Sequence, residues 1–263
     1  MTVTTEFRTV NVTRYVTPLR EGGSLPAIVE ADDGFLYVLK FRGAGQGAKA
    51  LIAEIIGGEI ARSLGLKVPE LVLANLDEAF GRIEGDEEIQ DLLKASTGLN
   101  LGVHYLSGAI TFDPLVTKVS PLLASQIVWL DAFLMNVDRT PKNANMLWWN
   151  KELWLIDHGA SLYFHHAWPD TDPGLKKFPQ IKDHILLSHA SELDAVRDEA
   201  ARLLTPARIN DIVALIPTQW LAGDPYFHDA AQAADAYRNF LVSRVKHADQ
   251  FTNEAIHARQ ALI

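Results

Sequence analysis

Asp138 and Asn143 stand five positions apart in the stretch NVDRTPKNAN, and Asp157 follows in the triplet Asp157-His158-Gly159. Two short apolar runs, MLWW and LWLI, separate them. One proton acceptor and two hard oxygen ligands are what phosphoryl transfer requires. Magnesium takes oxygen donors and keeps several waters, so one carboxylate plus one amide holds it between the phosphates of a nucleotide; Asp157 and Asn143 fit that task. A carboxylate outside the metal's ligands orients an attacking hydroxyl and accepts its proton, which assigns Asp138 by elimination. The competing reading is purely local: DRTPKN is also a polar turn and Asp157 also a cap.

Such loops need rigid elements on either side. MLWW and LWLI read as two short strands around Asn150-Lys151-Glu152, and the apolar run Leu122 to Met135 reads as the helix that delivers the 136–145 loop. Near the N-terminus, Leu25 to Glu30 and Phe35 to Phe41 read as antiparallel strands joined by ADDG, where Asp33-Gly34 supplies the left-handed residues of a hairpin. Leu51, Ile52, Ile55, Ile56 and Ile60 recur at helical spacing up to a stop at Gly65. VPELVLANLD reads as a further strand, and the acidic RIEGDEEIQD as a solvated connection or helix face. A boundary near Leu76 then divides a β-rich part, 1–76, from a mainly helical part, 77–263, with helices over Glu192 to Leu204, Pro206 to Leu215 and Asp229 to Arg259. Trp148, Trp149 and Trp154 read as packing residues.

Arg20-Glu21-Gly22-Gly23-Ser24 precedes the first of these strands. Glycines let backbone N–H groups approach anionic oxygens, so Gly22, Gly23 and Ser24 are candidates for holding nucleotide phosphates, with a plain turn as the alternative. Gly43-Ala44-Gly45-Gln46-Gly47 lacks the strand-turn-helix context of a dinucleotide fingerprint and reads as a mobile connection. His165-His166 with Asp170, and Asp183-His184, find no further ligand at metal-site spacing and read as surface groups.

The 263 residues carry 24 Lys and Arg against 33 Asp and Glu, a net charge of −9, and no basic run offsets the repulsion from phosphate backbones. Direct nucleic-acid binding is not expected. The absence of cysteine excludes disulfides, thiolate metal sites and cysteine nucleophiles. No stretch reaches the roughly 18 apolar residues of a spanning helix, and the polar start has no signal-like segment. The expected location is cytoplasmic, without membrane attachment.

The order of these motifs resembles the protein-kinase-like fold, and in detail the HipA-like kinases, in particular their short, stand-alone branch. The resemblance rests on YVLKF (37–41), AEIIGGEIARSLGLKVPE (53–70), LDAFLMNVDRTPKNANML (130–147) and LWLIDHGASL (153–162). It implies an α+β, two-lobed fold with a small β-rich N-lobe and a larger, mainly helical C-lobe. It also implies ATP and magnesium as cofactors and a protein Ser/Thr hydroxyl, or the protein itself, as acceptor. The strand lysine that binds the α and β phosphates corresponds to Lys40, and the helix glutamate that holds it to Glu54. Helical periodicity alone would turn Glu59 inward, among Leu51, Ile52, Ile55 and Ile56, whereas the family spacing to Leu64-Gly65-Leu66 selects Glu54. The chain is shorter than the toxin kinases that name the family and reads as lacking their N-terminal subdomain, so an antitoxin-like partner is not implied. Other readings of the same residues are a nucleotide-binding pseudokinase, a small-molecule or lipid kinase on the same fold, and a helical interaction module in which these polar groups are incidental.

Overall fold

The computed structural model describes residues 6–19, 25–83 and 85–262. The candidates Gly22, Gly23 and Ser24 lie outside them. The chain forms two compact units, each assembled from separate stretches: Thr4–Ile52 with Pro69–Gly108, and Ala53–Val68 with Ala109–Ile263.

The first unit is a closed barrel of β1 (Thr9–Pro18), β2 (Ala27–Ala31), β3 (Leu36–Lys40), β4 (Leu71–Leu76) and β5 (Gly98–His104), in the order β1-β2-β3-β5-β4. β1 closes it by pairing antiparallel to β2 and parallel to β4. Alternation sends Val10, Val12, Ala27, Val29, Tyr37, Leu39, Val72 and Ala74 into one apolar core. After α1 (Gly47–Ser63) and α2 (Ala79–Ile83) comes α3 (Glu87–Ala95), which adds Ile89 and Leu93 to that core. The acidic segment is thus a capped helix: the Asp86 side chain accepts from the backbone of Glu88 and Ile89. In the ADDG turn only Gly34 takes a positive φ, 80°; Asp33 instead accepts from Tyr37 and Arg8. Burial, together with Asp33, pushes the Tyr37 hydroxyl up to about 12. Two strands of the barrel go beyond the sequence reading, β1 and β5, and β5 lies past Leu76, so the barrel draws on residues to both sides of that position.

The glycine-rich connection is fixed at its start. The backbone N–H of Arg42 donates to Asn100 Oδ1 at 2.8 Å and that of Gly43 to Ser96 Oγ at 3.1 Å. A Cβ on Gly43 would stand 2.6 Å from that of Ala95, so a close approach requires this glycine.

In the second unit α4 (Pro121–Leu134) is buried without a break from Ile127 to Leu134, a stretch that is apolar on every side except at Asp131. Ser120 caps it, accepting from the Leu123 N–H at 3.2 Å, and Pro121 occupies the first turn. Trp129 stacks on Phe133, packs against Phe251 and donates to Thr252 Oγ1 at 3.0 Å. A three-stranded sheet holds β6 (Ile110–Thr111), β7 (Met146–Trp149) and β8 (Glu152–Leu155). Asn150 and Lys151 both take positive φ, the pair of left-handed residues a two-residue hairpin demands. Then come α5 (Leu193–Leu203), α6 (Pro206–Ala214), α7 (Thr218–Leu221), α8 (Ala230–Lys246) and α9 (Ala248–Gln260). The expected single helix from Asp229 to Arg259 is broken at His247, which caps α8 and opens α9.

Candidate active site

α4 ends in a left-handed residue, Met135 at φ 56°, and Asn136 returns to the helix through its side chain, donating to Asp131 Oδ1 at 2.9 Å. The chain then turns sharply: the Thr140 N–H donates to the carbonyls of both Asp138 and Asn143, each at 3.0 Å. Asp138 is half-buried. Its Oδ2 accepts Nδ2 of Asn143 at 2.8 Å and Nδ2 of Asn145 at 3.0 Å, which pins the carboxylate. The amide nitrogen of Asn143 being committed to Asp138, its oxygen is the atom that can ligate a cation.

Beneath the loop lies a buried charge cluster. Asp131 and Arg139 are 0% and 1% exposed; Arg139 Nε donates to Asp131 Oδ2 at 2.6 Å, and His184 Nε2 lies 2.8 Å from the same oxygen. Burial alone would raise the Asp131 carboxyl, but the charge of Arg139 and the bond from His184 outweigh it and hold the group well below the usual carboxylate range. Arg139 Nη1 reaches the carbonyls of Asn145 and Ile156, the residues at the two outer ends of the β7–β8 hairpin. At the other end of the loop's support, Arg244 of α8 is fully buried and donates to the carbonyls of Phe133, Ala132 and Lys176, with its guanidinium 3.9 Å above the Phe251 ring. The last-turn carbonyls of α4 thereby receive a cation, the favourable sign at a helix C-terminus.

Asp157 follows Ile156, whose N–H donates to the Asn145 carbonyl at 3.1 Å, so Asp157 lies just past the end of β8, at the end of the hairpin where β7 begins. Asp157 takes φ 56°, Asn145 48° and Leu162 57°. For leucine this region is costly, and such outliers gather where surrounding structure enforces a required geometry. The N–H of His158 donates to Glu54 Oε2 at 2.8 Å, and its ring is wholly buried, with Nδ1 3.8 Å from Glu54 Oε1. Gly57, one turn along α1 from Glu54, makes room for that ring: a Cβ there would lie 2.6 Å from His158 Cβ.

Both glutamates of α1 are buried, Glu54 at 1% and Glu59 at 0%, with different partners. Glu59 pairs with Arg62 and lies 3.9 Å from Arg208; Glu54 holds the turn after Asp157. Lys40 closes β3, which pairs on both sides with β2 and β5, and by alternation it shares the face of Leu36 and Val38, away from the barrel core. It is therefore not on an edge strand. The structure thus gathers Asp138, Asn143, Asp157 and Glu54 within the second unit, with Lys40 in the first.

Two expectations are overturned. His165 is fully buried and pairs with the Tyr237 hydroxyl at 3.0 Å, and His184 is buried on Asp131; neither is a surface histidine. Long-range partners explain both. The tryptophans do pack, Trp149 edge-on to Trp154 at 5.3 Å. Sequence reasoning passed over Asn145, Asp131 and Arg139. Asn145 carried a signal, a second amide two residues beyond Asn143; Asp131 inside an apolar helix carried another, since a carboxylate there needs a partner.

As for a metal, Asn143 and Asp157 offer hard oxygens. Among the described residues no group of three or more His, Asp or Glu gathers into a cage. That donor set suits an ion that keeps waters and shares phosphate oxygens, as magnesium does.

A β-barrel unit with a strand lysine, a helical unit with a D-R-x-x-x-N loop, and a hairpin leading to D-x-G make an α+β, two-lobed protein-kinase-like fold, the scaffold of a kinase-type phosphotransferase. The sequence profile of the HipA-like kinases matches residues 12–254, and the chain belongs to that family. Among solved structures it is similar to the Helicobacter pylori proinflammatory kinase CtkA, with a TM-score of 0.52 and 13% identity over 98% of this chain and 99% of that chain. A Golgi casein kinase gives a TM-score of 0.49 and 13% identity over 97% of this chain and 73% of that chain. At this identity the likeness to CtkA is one of fold. No curated protein matches the chain. No helix among the described residues is long and apolar enough to cross a membrane.

Proposed function

We propose that the protein is a cytoplasmic, ATP-dependent, magnesium-requiring kinase that phosphorylates a Ser or Thr hydroxyl of a protein, its own chain included. The observation that carries this reading is Asp138, whose carboxylate is pinned by the amides of Asn143 and Asn145. Asp138 orients that hydroxyl and accepts its proton as it attacks the terminal phosphate. Asn143 and Asp157 hold the magnesium, which when bound neutralises charge on the phosphates. Lys40 and Glu54 are assigned to the α and β phosphates and their support, and Gly22, Gly23 and Ser24 to the cover over them, on the family pattern.

The test is twofold. ATP with magnesium should raise the melting temperature far more than ATP with a chelator, and mass spectrometry after incubation with magnesium and ATP, alone and with cell extract, should find phosphoserine or phosphothreonine. Equal stabilisation without metal, or bound nucleotide without transfer, overturns the reading; the second outcome describes a pseudokinase. Phosphate on a small molecule or lipid corrects the acceptor alone.

A further inference from the structure

Asp131 accepts from three separate places: Asn136 at the start of the active-site loop, Arg139 inside it, and His184, which lies 53 residues away in sequence in the segment between the hairpin and α5. The Leu186 N–H donates to His184 Nδ1 at 3.0 Å, so Nδ1 is an acceptor and the proton sits on Nε2, aimed at Asp131. The next residue adds a second stitch, the Ile185 N–H donating to the Arg139 carbonyl at 3.2 Å. Arg139 in turn precedes nothing but the turn that carries Asn143, follows Asp138 directly, and reaches the carbonyl of Ile156, the residue before Asp157.

We infer that His184 is a positioning residue for phosphoryl transfer: through Asp131 and Arg139 it fixes the main chain on which Asp138 and Asp157 stand, and so makes the conformation of segment 184–186 a control on turnover. The inference rests on the kinase reading of Asp138 and Asp157. The physical reason is geometric. Arg139 can span the loop and the hairpin only while its Nε end is anchored, and the anchoring oxygen of Asp131 is shared with His184. Without that donor the guanidinium gains freedom, and misplacement of a reacting group by about 1 Å costs on the order of 10² in rate.

Three variants separate the roles of the ring. His184→Gln places an amide nitrogen where Nε2 stands and keeps the bond to Asp131. His184→Asn keeps an acceptor near Nδ1 for Leu186 but falls short of Asp131. His184→Ala loses both. Turnover and KM for ATP, with hydrogen exchange by mass spectrometry, are read on each. Ala and Asn should lower kcat about tenfold or more with KM changed less than about twofold, Gln should recover most of kcat, and exchange should quicken at 138–145 and 156–158 as well as around 184. If Ala does not fold, Gln against Asn makes the same comparison. Unchanged kcat in Asn, or faster exchange confined to 184–190, overturns the inference. A wild type that transfers no phosphate refutes the kinase reading instead, and exchange at 138–145 then decides the positioning claim by itself.

Discussion

Gly57→Ala puts a methyl group where the His158 ring now lies. The added Cβ would stand 2.6 Å from His158 Cβ, 2.8 Å from Cγ and 3.1 Å from Cδ2. Two opposing effects decide the outcome. In a helix interior alanine is better than glycine by about 1 kcal/mol, whereas forcing a carbon into a packed site costs about 1–3 kcal/mol. The neighbour here is the root of a fully buried ring, with its own N–H bonded to Glu54, so it has little freedom to withdraw and the cost falls at the upper end. The net loss is then about 1–2 kcal/mol, roughly 5 °C in melting temperature for a chain of this size. The functional effect should exceed the stability effect, because any retreat of His158 moves its neighbour Asp157. The magnesium concentration giving half-maximal ATP-dependent stabilisation should rise about tenfold or more, in keeping with the cost of a displaced ligand. Thermal melts across a magnesium titration, with and without ATP, measure both quantities. A variant more stable than wild type, with unchanged magnesium dependence, would show that helix propensity wins and that the ring is not a constraint on the metal turn.

Asp138 and Asp157 should respond differently to loss of charge. Asp138→Asn should lower turnover by about 10² to 10⁴ with nucleotide affinity nearly unchanged, while Asp157→Asn should weaken magnesium-nucleotide binding and recover partly as magnesium is raised; matching profiles would mean the roles are wrongly divided. Glu54→Ala should reduce phosphoryl transfer more than Glu59→Ala, since Glu54 bonds the turn after Asp157 and Glu59 meets Arg62 and Arg208; the opposite order in a kinase assay counts against Glu54. Because the folded protein holds the Asp131 carboxyl below its ordinary range, its stabilisation is full above the unfolded value of about 3.9 and is lost as pH falls below that. Asp131→Asn should therefore lose about 3–5 kcal/mol at neutral pH by leaving Arg139 buried without its counter-charge, and denaturant melts from pH 7 to pH 3 should show a shallower acid slope than wild type.

The parts of the site that were legible in the sequence are those fixed by neighbours along the chain. The helix ending before Asn136, the 136–145 turn and the Asn150-Lys151 hairpin all follow from local pattern, and they place Asp138, Asn143 and Asp157 on loops. The α1 glutamates show the limit of periodicity. Every residue from Leu51 to Ala61 is buried, so the helix has no wet face against which a wheel could tell Glu54 from Glu59. The charge cluster was illegible for another reason. Asp131 and His184 are far apart in sequence, and a histidine beside Lys182-Asp183 gives no sign that a buried carboxylate awaits it. β1 alternates in the manner of a half-buried strand, but its threonines and asparagine mask the pattern, and its parallel partner β4 lies some sixty residues on.

The division of α1 between the two units has a consequence for how the chain is made. Residues Ala53–Val68 belong with the C-terminal helices: the Leu155 N–H bonds the Lys67 carbonyl at 2.8 Å, and Arg208 Nε reaches Ser63 Oγ at 2.8 Å across 145 positions of sequence. At a synthesis rate of about 5–20 residues per second, Ser63 leaves the ribosome roughly 7–30 s before Arg208 does. For that interval the 53–68 segment has been made but its partners Leu155 and Arg208 have not both followed, a window in which a nascent chain attracts chaperones or its own copies. The same arrangement rules on fragments: a piece beginning at 109 would carry the 136–145 loop and the hairpin yet lack the segment that bonds His158 and Leu155. A circular permutant that keeps 53–68 in the chain is the way to obtain the helical part as an independent folding unit.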